Sequence, residues 1–152
     1  MKAVLRETLT LKTEYKVPEF SNSNLRVQIR AAAINPVDYK VGPSRFVPIS
    51  GRYFAGVVDQ VGQNVKDFRI GDEVFVIANG SLAEYAVVML DKISHKPKSL
   101  TFREAAAISV AYFTSYQAFR VNGSVKGRRV IVIGASGGCG IAGVQLAKLL
   151  SA

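Results

Sequence analysis

With 152 residues and 49% hydrophobic content, the chain can bury the core of one domain. Twenty Lys and Arg against eleven Asp and Glu give a net charge of +9. The basic residues are scattered from Lys2 and Arg6 to Arg128 and Arg129, without a like-charged block, which argues against nucleic-acid binding. One cysteine excludes an internal disulfide and fits a reducing compartment. No apolar leader opens residues 1–20 and no 18-residue apolar span occurs, so a cytoplasmic protein is expected. Delivery to an organelle by a removed transit peptide stays compatible with that.

Taken in chain order, a first strand is expected near Lys2–Glu7, joining the main sheet. Residues 25–33 alternate, with Leu25, Val27, Ile29, Ala31 and Ala33 on one face and Arg26, Gln28 and Arg30 on the other. A period of two predicts a strand with one solvated side. Further strands are predicted at Phe54–Val61, Glu73–Ile77 and Glu84–Val88, separated by turns at Gly62-Gln63-Asn64, Gly71-Asp72 and Asn79-Gly80. Short strands with such turns predict an antiparallel barrel or sandwich.

The pattern changes at Thr101. Thr101-Phe-Arg-Glu104 predicts a capping box, followed by a helix over Ala105–Ile108 and a second over Val110–Arg120. The expected organisation is an antiparallel β domain to about residue 100, a helical connection to about 122, and the opening of an α/β domain.

That opening is the most telling stretch. Val130-Ile-Val-Ile133 predicts a strand, and Ile141, Val144, Leu146 and Leu149 predict a helix after it. Between them, Ala135-Ser136-Gly137-Gly138-Cys139-Gly140 approximates the dinucleotide-binding glycine loop, with Ala135 at its first position. Gly137 would let backbone approach a pyrophosphate, and Gly140 would let the helix pack closely. The alternative is a plain strand-to-helix turn. Ser136, Gly137, Gly138, Cys139, Gly140 and Ile141 are therefore the candidate cofactor-binding residues. Cys139 is either a thiol made reactive by the helix N-terminus or a small packing residue. His95 is the sole histidine, without a Cys, His or acidic partner at ligand spacing.

Four segments in this order resemble the medium-chain dehydrogenase/reductase superfamily, in its zinc-free quinone oxidoreductase and alkenal reductase branch. They are Ala33-Ile-Asn35-Pro36-Val-Asp38-Tyr-Lys40, Ala55-Gly56-Val-Val-Asp-Gln-Val-Gly62, Gly71-Asp72-Glu-Val74 and Gly80-Ser-Leu-Ala83-Glu84-Tyr85. The glycine loop is a fifth. The resemblance implies a GroES-like, partly open antiparallel barrel over residues 1–122. Residues 123–152 would be the first β-α unit of an incomplete Rossmann domain.

Activity follows by the same resemblance: hydride transfer from NADPH, preferred over NADH on family grounds, to a quinone or an α,β-unsaturated carbonyl. Asn35, Asp38, Lys40, Tyr53 and Thr114 are carried over as lining the nicotinamide and substrate cleft, with no catalytic acid assigned. Each has a plainer alternative. Asn35-Pro36 shapes a turn, Lys40 is solvated, Tyr53 is a barrel-rim aromatic, and Thr114 sits on a helix surface. Zinc-dependent members carry a cysteine where Asn35 stands, a His-Glu pair where Arg52-Tyr53 stand, and a third ligand near Val110, so no zinc is expected. The segment 36–54 is short for the family, so the loop bordering the cleft is expected to differ.

Relatives are about twice this length, so the 152-residue chain is expected to be inactive by itself. A strand at 130–133 needs neighbours on both edges, and unpaired edges favour self-association. The competing function is a non-catalytic binding or assembly module formed by the short chain.

Overall fold

The computed structural model describes residues 1–40 and 48–151. The chain packs as two compact units, Met1–Ala107 and Ile108–Ala152. The first unit opens with β1 (Ala3–Val4) and β2 (Leu11–Lys12), then β3 (Asn24–Ala33), a short helix α1 (Pro36–Lys40) and β4 (Tyr53–Val61). It continues with β5 (Glu73–Ile77), β6 (Tyr85–Met89), a 3-10 turn and β7 (Ile93–His95).

The five longer-range strands form one antiparallel sheet in the order β6-β3-β4-β5-β7. Register shifts at Arg26/Val27 and Ile29/Ala31 bend β3, as bulges do, and curl the sheet into a partly open barrel. The alternation in β3 holds only as far as Ile29: past the Ile29/Ala31 shift the faces exchange, so that Ala32 packs on the interior and Ala31, expected on the same face as Leu25, packs with Ala55 on the other side. Leu25 and Val27 are fully buried and join Phe54, Val58, Val74, Val76, Val88 and Ile93 in the interior. At ~25 cal/mol per Å² of apolar area, such side chains each contribute about 1.5–3 kcal/mol. The central strand β4 is covered on both faces. Phe54 points into this core, while Ala55 packs with Ala105, Ala106, Phe75 and Phe102 in a second cluster.

Two expectations for this unit are corrected. The Lys2–Glu7 strand does not join the main sheet. The chain reverses through Leu9 (φ +51°), and Ala3 and Val4 pair with Lys12 and Leu11 in a separate two-stranded ladder. Among the described residues, that ladder meets the rest of the unit through isolated bridges, Ala3 to Ala83 and Leu5 to Ile49, rather than through a continuous register. The helix pair predicted after Thr101 is one continuous helix, α2 (Phe102–Val121). Nothing interrupts it, because no Gly or Pro lies between Thr101 and Asn122. Its predicted start is correct: Glu104 Oε2 accepts the Thr101 amide at 2.7 Å, and Thr101 Oγ1 accepts the Glu104 amide at 3.3 Å.

In the second unit, α2 ends where the Asn122 side chain donates to Ala118 O at 2.7 Å. Helix α3 (Gly138–Leu149) follows the glycine loop as predicted. The predicted strand at Val130–Ile133 is absent. A strand exists only through a ladder of bonds to a neighbour, and no described residue supplies one. Val132 still packs toward α3, with its methyls 3.6–3.9 Å from where a Gly143 Cβ would stand, whereas Ile131 and Ile133 are 89% and 94% exposed.

Candidate functional site

The candidate residues fall into two sets, one in each unit. In the first unit, the β3–β4 register pairs Ala33 with Tyr53. Tyr53, half-buried at the start of β4, thus lies beside the end of β3, with Asn35 two residues beyond Ala33. Local chemistry sets α1 at this point. Pro36 occupies its first position, where a missing N–H costs nothing. Asp38 reaches back so that its Oδ2 accepts the Asn35 amide at 2.8 Å, and the Asp38 amide donates to Asn35 O at 2.9 Å.

The side chains differ sharply in surroundings. Asp38 is only 4% exposed, and its Oδ1 is buried with no partner among the described residues. Asn35 Nδ2 and Arg52 Nε are buried in the same condition. Lys40, at the end of α1, is exposed. The loop expected to border the cleft includes residues 41–47, which lie outside the described residues. Ser50 anchors α1 to the wall. Its hydroxyl donates weakly to Asp38 O at 3.4 Å, while its backbone bonds Val4 O and the Leu82 amide.

The second set is the glycine loop, with Thr114 exposed on α2. The tight turn falls on Gly134 (φ +74°), one residue before the position that the motif gives to Ala135. Gly134 O accepts the Gly137 amide at 3.1 Å, and Gly137 O accepts the Ile141 amide at 2.8 Å, opening α3. Gly140 is buried, and a Cβ there would stand 2.1 Å from Gly134 O, a position only glycine tolerates. Ser136, Gly137, Gly138, Cys139 and Ile141 are exposed.

No side chain caps α3 at Gly137, so its first-turn amides and the positive end of its dipole are left for an anion. Gly137 and Gly138 have no side chain to obstruct that approach. These residues fit a dinucleotide pyrophosphate. Sequence reasoning missed Ser115, buried on α2, whose Oγ donates to Cys139 O at 2.8 Å and holds the first turn of α3. Its neighbours Thr114 and Gln117 are also polar, so the sequence carried no signal that singled it out. Among the described residues, no three of His, Cys, Asp and Glu are grouped to hold a metal ion, and no helix is long and apolar enough to cross a membrane.

Residues 21–98 match the alcohol dehydrogenase GroES-like domain. The chain belongs to the medium-chain dehydrogenase/reductase superfamily. The four barrel segments quoted for the resemblance all lie within the matched residues. The chain is similar to 2-methylene-furan-3-one reductase of Solanum lycopersicum, 36% identical over 159 residues, covering 93% of this chain and 41% of that protein. It is also similar to the human mitochondrial NAD(P)H oxidoreductase RTN4IP1, 36% identical over 138 residues, covering 82% and 35%. Among solved structures, the quinone oxidoreductase from Coxiella burnetii superposes with a TM-score of 0.89 at 30% identity, covering 99% of this chain and 54% of that one. The chain thus spans less than half the length of these two curated relatives and about half of the solved chain.

Proposed function

We propose that this chain is the N-terminal part of a zinc-independent, NADPH-dependent oxidoreductase that reduces a quinone or an α,β-unsaturated carbonyl. Residues 1–122 would form its substrate side and residues 123–152 the start of its dinucleotide-binding domain. The observation that carries the reading is the uncapped, side-chain-free N-terminus of α3 joined in one sequence to a GroES-like barrel. The names of the relatives, a furanone reductase, an NAD(P)H oxidoreductase and a quinone oxidoreductase, support the substrate class.

The amides of Ser136–Ile141 would hold the pyrophosphate. NADPH, when bound, supplies the hydride. Negative charge then develops on the acceptor's carbonyl oxygen, and fixed donors lower that barrier most when they need no reorganisation. Asn35 Nδ2 is such a donor, buried and without a partner among the described residues. Lys40 and Tyr53 would add an ammonium and a hydroxyl, and Thr114 would border the nicotinamide. No catalytic acid is assigned, and water would serve as the proton source. The donor set at the family's zinc positions, Asn35, Arg52, Tyr53 and Val110, suits no tetrahedral zinc site.

The test is NADPH oxidation by the protein as its gene encodes it, against a panel of quinones and enals; no turnover on any acceptor would sink the assignment. The isolated 152-residue chain should show no turnover and weak dinucleotide affinity, and nanomolar NADPH binding by it would contradict this. A readout independent of activity is alkylation of the exposed Cys139. Saturating NADPH should slow its labelling by iodoacetamide in the active protein.

A second reading rests on Ile131 and Ile133, which are almost fully exposed in an apolar run without a ladder partner among the described residues. In it the short chain associates with a second copy through this segment. Sedimentation of the 152-residue chain decides: dimers or larger species support it, and a clean monomer removes it.

A further inference from the structure

We infer that Asp38 is a positioning residue that acts through Asn35, and this rests on the proposed placement of Asn35 beside the reacting carbonyl. An asparagine preceding a helix ordinarily spends its side chain on capping, accepting an amide of the first turn. At α1 this does not happen. The third-position amide, from Asp38, is taken by the Asn35 backbone carbonyl at 2.9 Å, and the Asn35 amide is taken by the Asp38 carboxylate at 2.8 Å.

Two backbone bonds therefore fix the Asn35 peptide, and they free its carboxamide from capping duty. Its Nδ2 is buried with no partner among the described residues, the condition of a donor kept for a ligand oxygen. Asp38 is itself enclosed. It is 4% exposed, and its carbonyl meets Ser50, whose backbone bonds tie it to Val4 and Leu82.

The experiment compares wild type, Asp38→Ala, Asp38→Asn, Asn35→Ala and the Asn35→Ala/Asp38→Ala double variant in the protein as encoded. The readouts are kcat and KM with NADPH and 1,4-benzoquinone. Asp38→Ala should lower kcat about tenfold or more, as misplacement of a reacting group does, while KM for NADPH stays within about twofold. Asp38→Asn keeps an oxygen acceptor for the Asn35 amide and should restore most of kcat. The double variant should be no slower than Asn35→Ala, because Asp38 has nothing left to position.

If Asn35→Ala alone leaves kcat unchanged, the placement of Asn35 at the reacting carbonyl fails. If Asn35→Ala is slow and Asp38→Ala is not, the positioning role fails while the placement stands. Multiplicative losses in the double variant would also overturn it. Should Asp38→Ala not fold, Asp38→Val fills a similar volume without an acceptor and takes its place. Failure of both to fold would make Asp38 purely structural and end the proposal.

Discussion

Two glycines of α3, three residues apart, should respond to alanine in opposite senses. At Gly143 an added Cβ would stand 3.6 Å from Val132 Cγ1 and 3.9 Å from Ser115 Oγ, which is ordinary contact. Gly143→Ala should therefore stabilise the helix by up to about 1 kcal/mol, the difference in helix propensity. At Gly140 the same methyl would stand 2.1 Å from Gly134 O, 2.6 Å from Ala135 Cα and 2.8 Å from Gly134 C. All three atoms are backbone, so no side chain can swing aside and the turn must open. Overpacking of this kind costs about 1–3 kcal/mol, enough to cancel or outweigh the propensity gain. Amide hydrogen exchange across Gly138–Leu149 in the 152-residue chain reads both effects. Protection should rise in Gly143→Ala and fall in Gly140→Ala. Equal protection in the two variants would refute the close approach of the Gly134 carbonyl, and with it the loop geometry assigned to the pyrophosphate.

Lys96 has its ammonium buried against Glu73 Oε2 at 3.0 Å, Leu100 O at 2.5 Å and Pro97 O at 3.2 Å. Lys96→Met should destabilise the first unit by about 1–3 kcal/mol by orphaning those carbonyls, whereas Glu73, half exposed, rehydrates. A thermal melt unchanged by Lys96→Met would contradict this. The Thr101 amide and then its hydroxyl hold the Glu104 carboxyl below its ordinary value of 4.5. A depressed folded pKa means the stabilisation is complete above the unfolded value and disappears as pH falls through the folded one. The protection factors of the first amides of α2, corrected for intrinsic exchange, should fall as pH drops below about 4.5, and Thr101→Ala should abolish that acid step.

How much of this was legible in the sequence depends on how far each feature reaches along the chain. The Thr101-Glu104 box and the helix after the glycine loop involve residues within a few positions of each other and formed as expected, as did the alternation of β3 up to its bulge at Ile29/Ala31. The partner of β1 was not legible. Its composition permits pairing with the barrel, but the reversal through Leu9 puts Leu11–Lys12 nearer. Helix α1 went unseen because five residues carry no periodicity; Pro36 at its first position and the Asp38–Asn35 bonds mark its start.

Val130–Ile133 shows the same limit from the other side. Four β-branched residues state a preference for strand, yet that preference is a statement about packing against neighbours rather than about isolated backbone. Val132 meets α3, so one face of the run is satisfied, and Ile131 and Ile133 mark the face left exposed. Local sequence thus declares which surface must be covered but not by what. The candidate site follows the same division. The clamp on Asn35 is written within four residues, whereas the pairing of Ala33 with Tyr53 depends on a register between two distant strands that is set only once the barrel has folded.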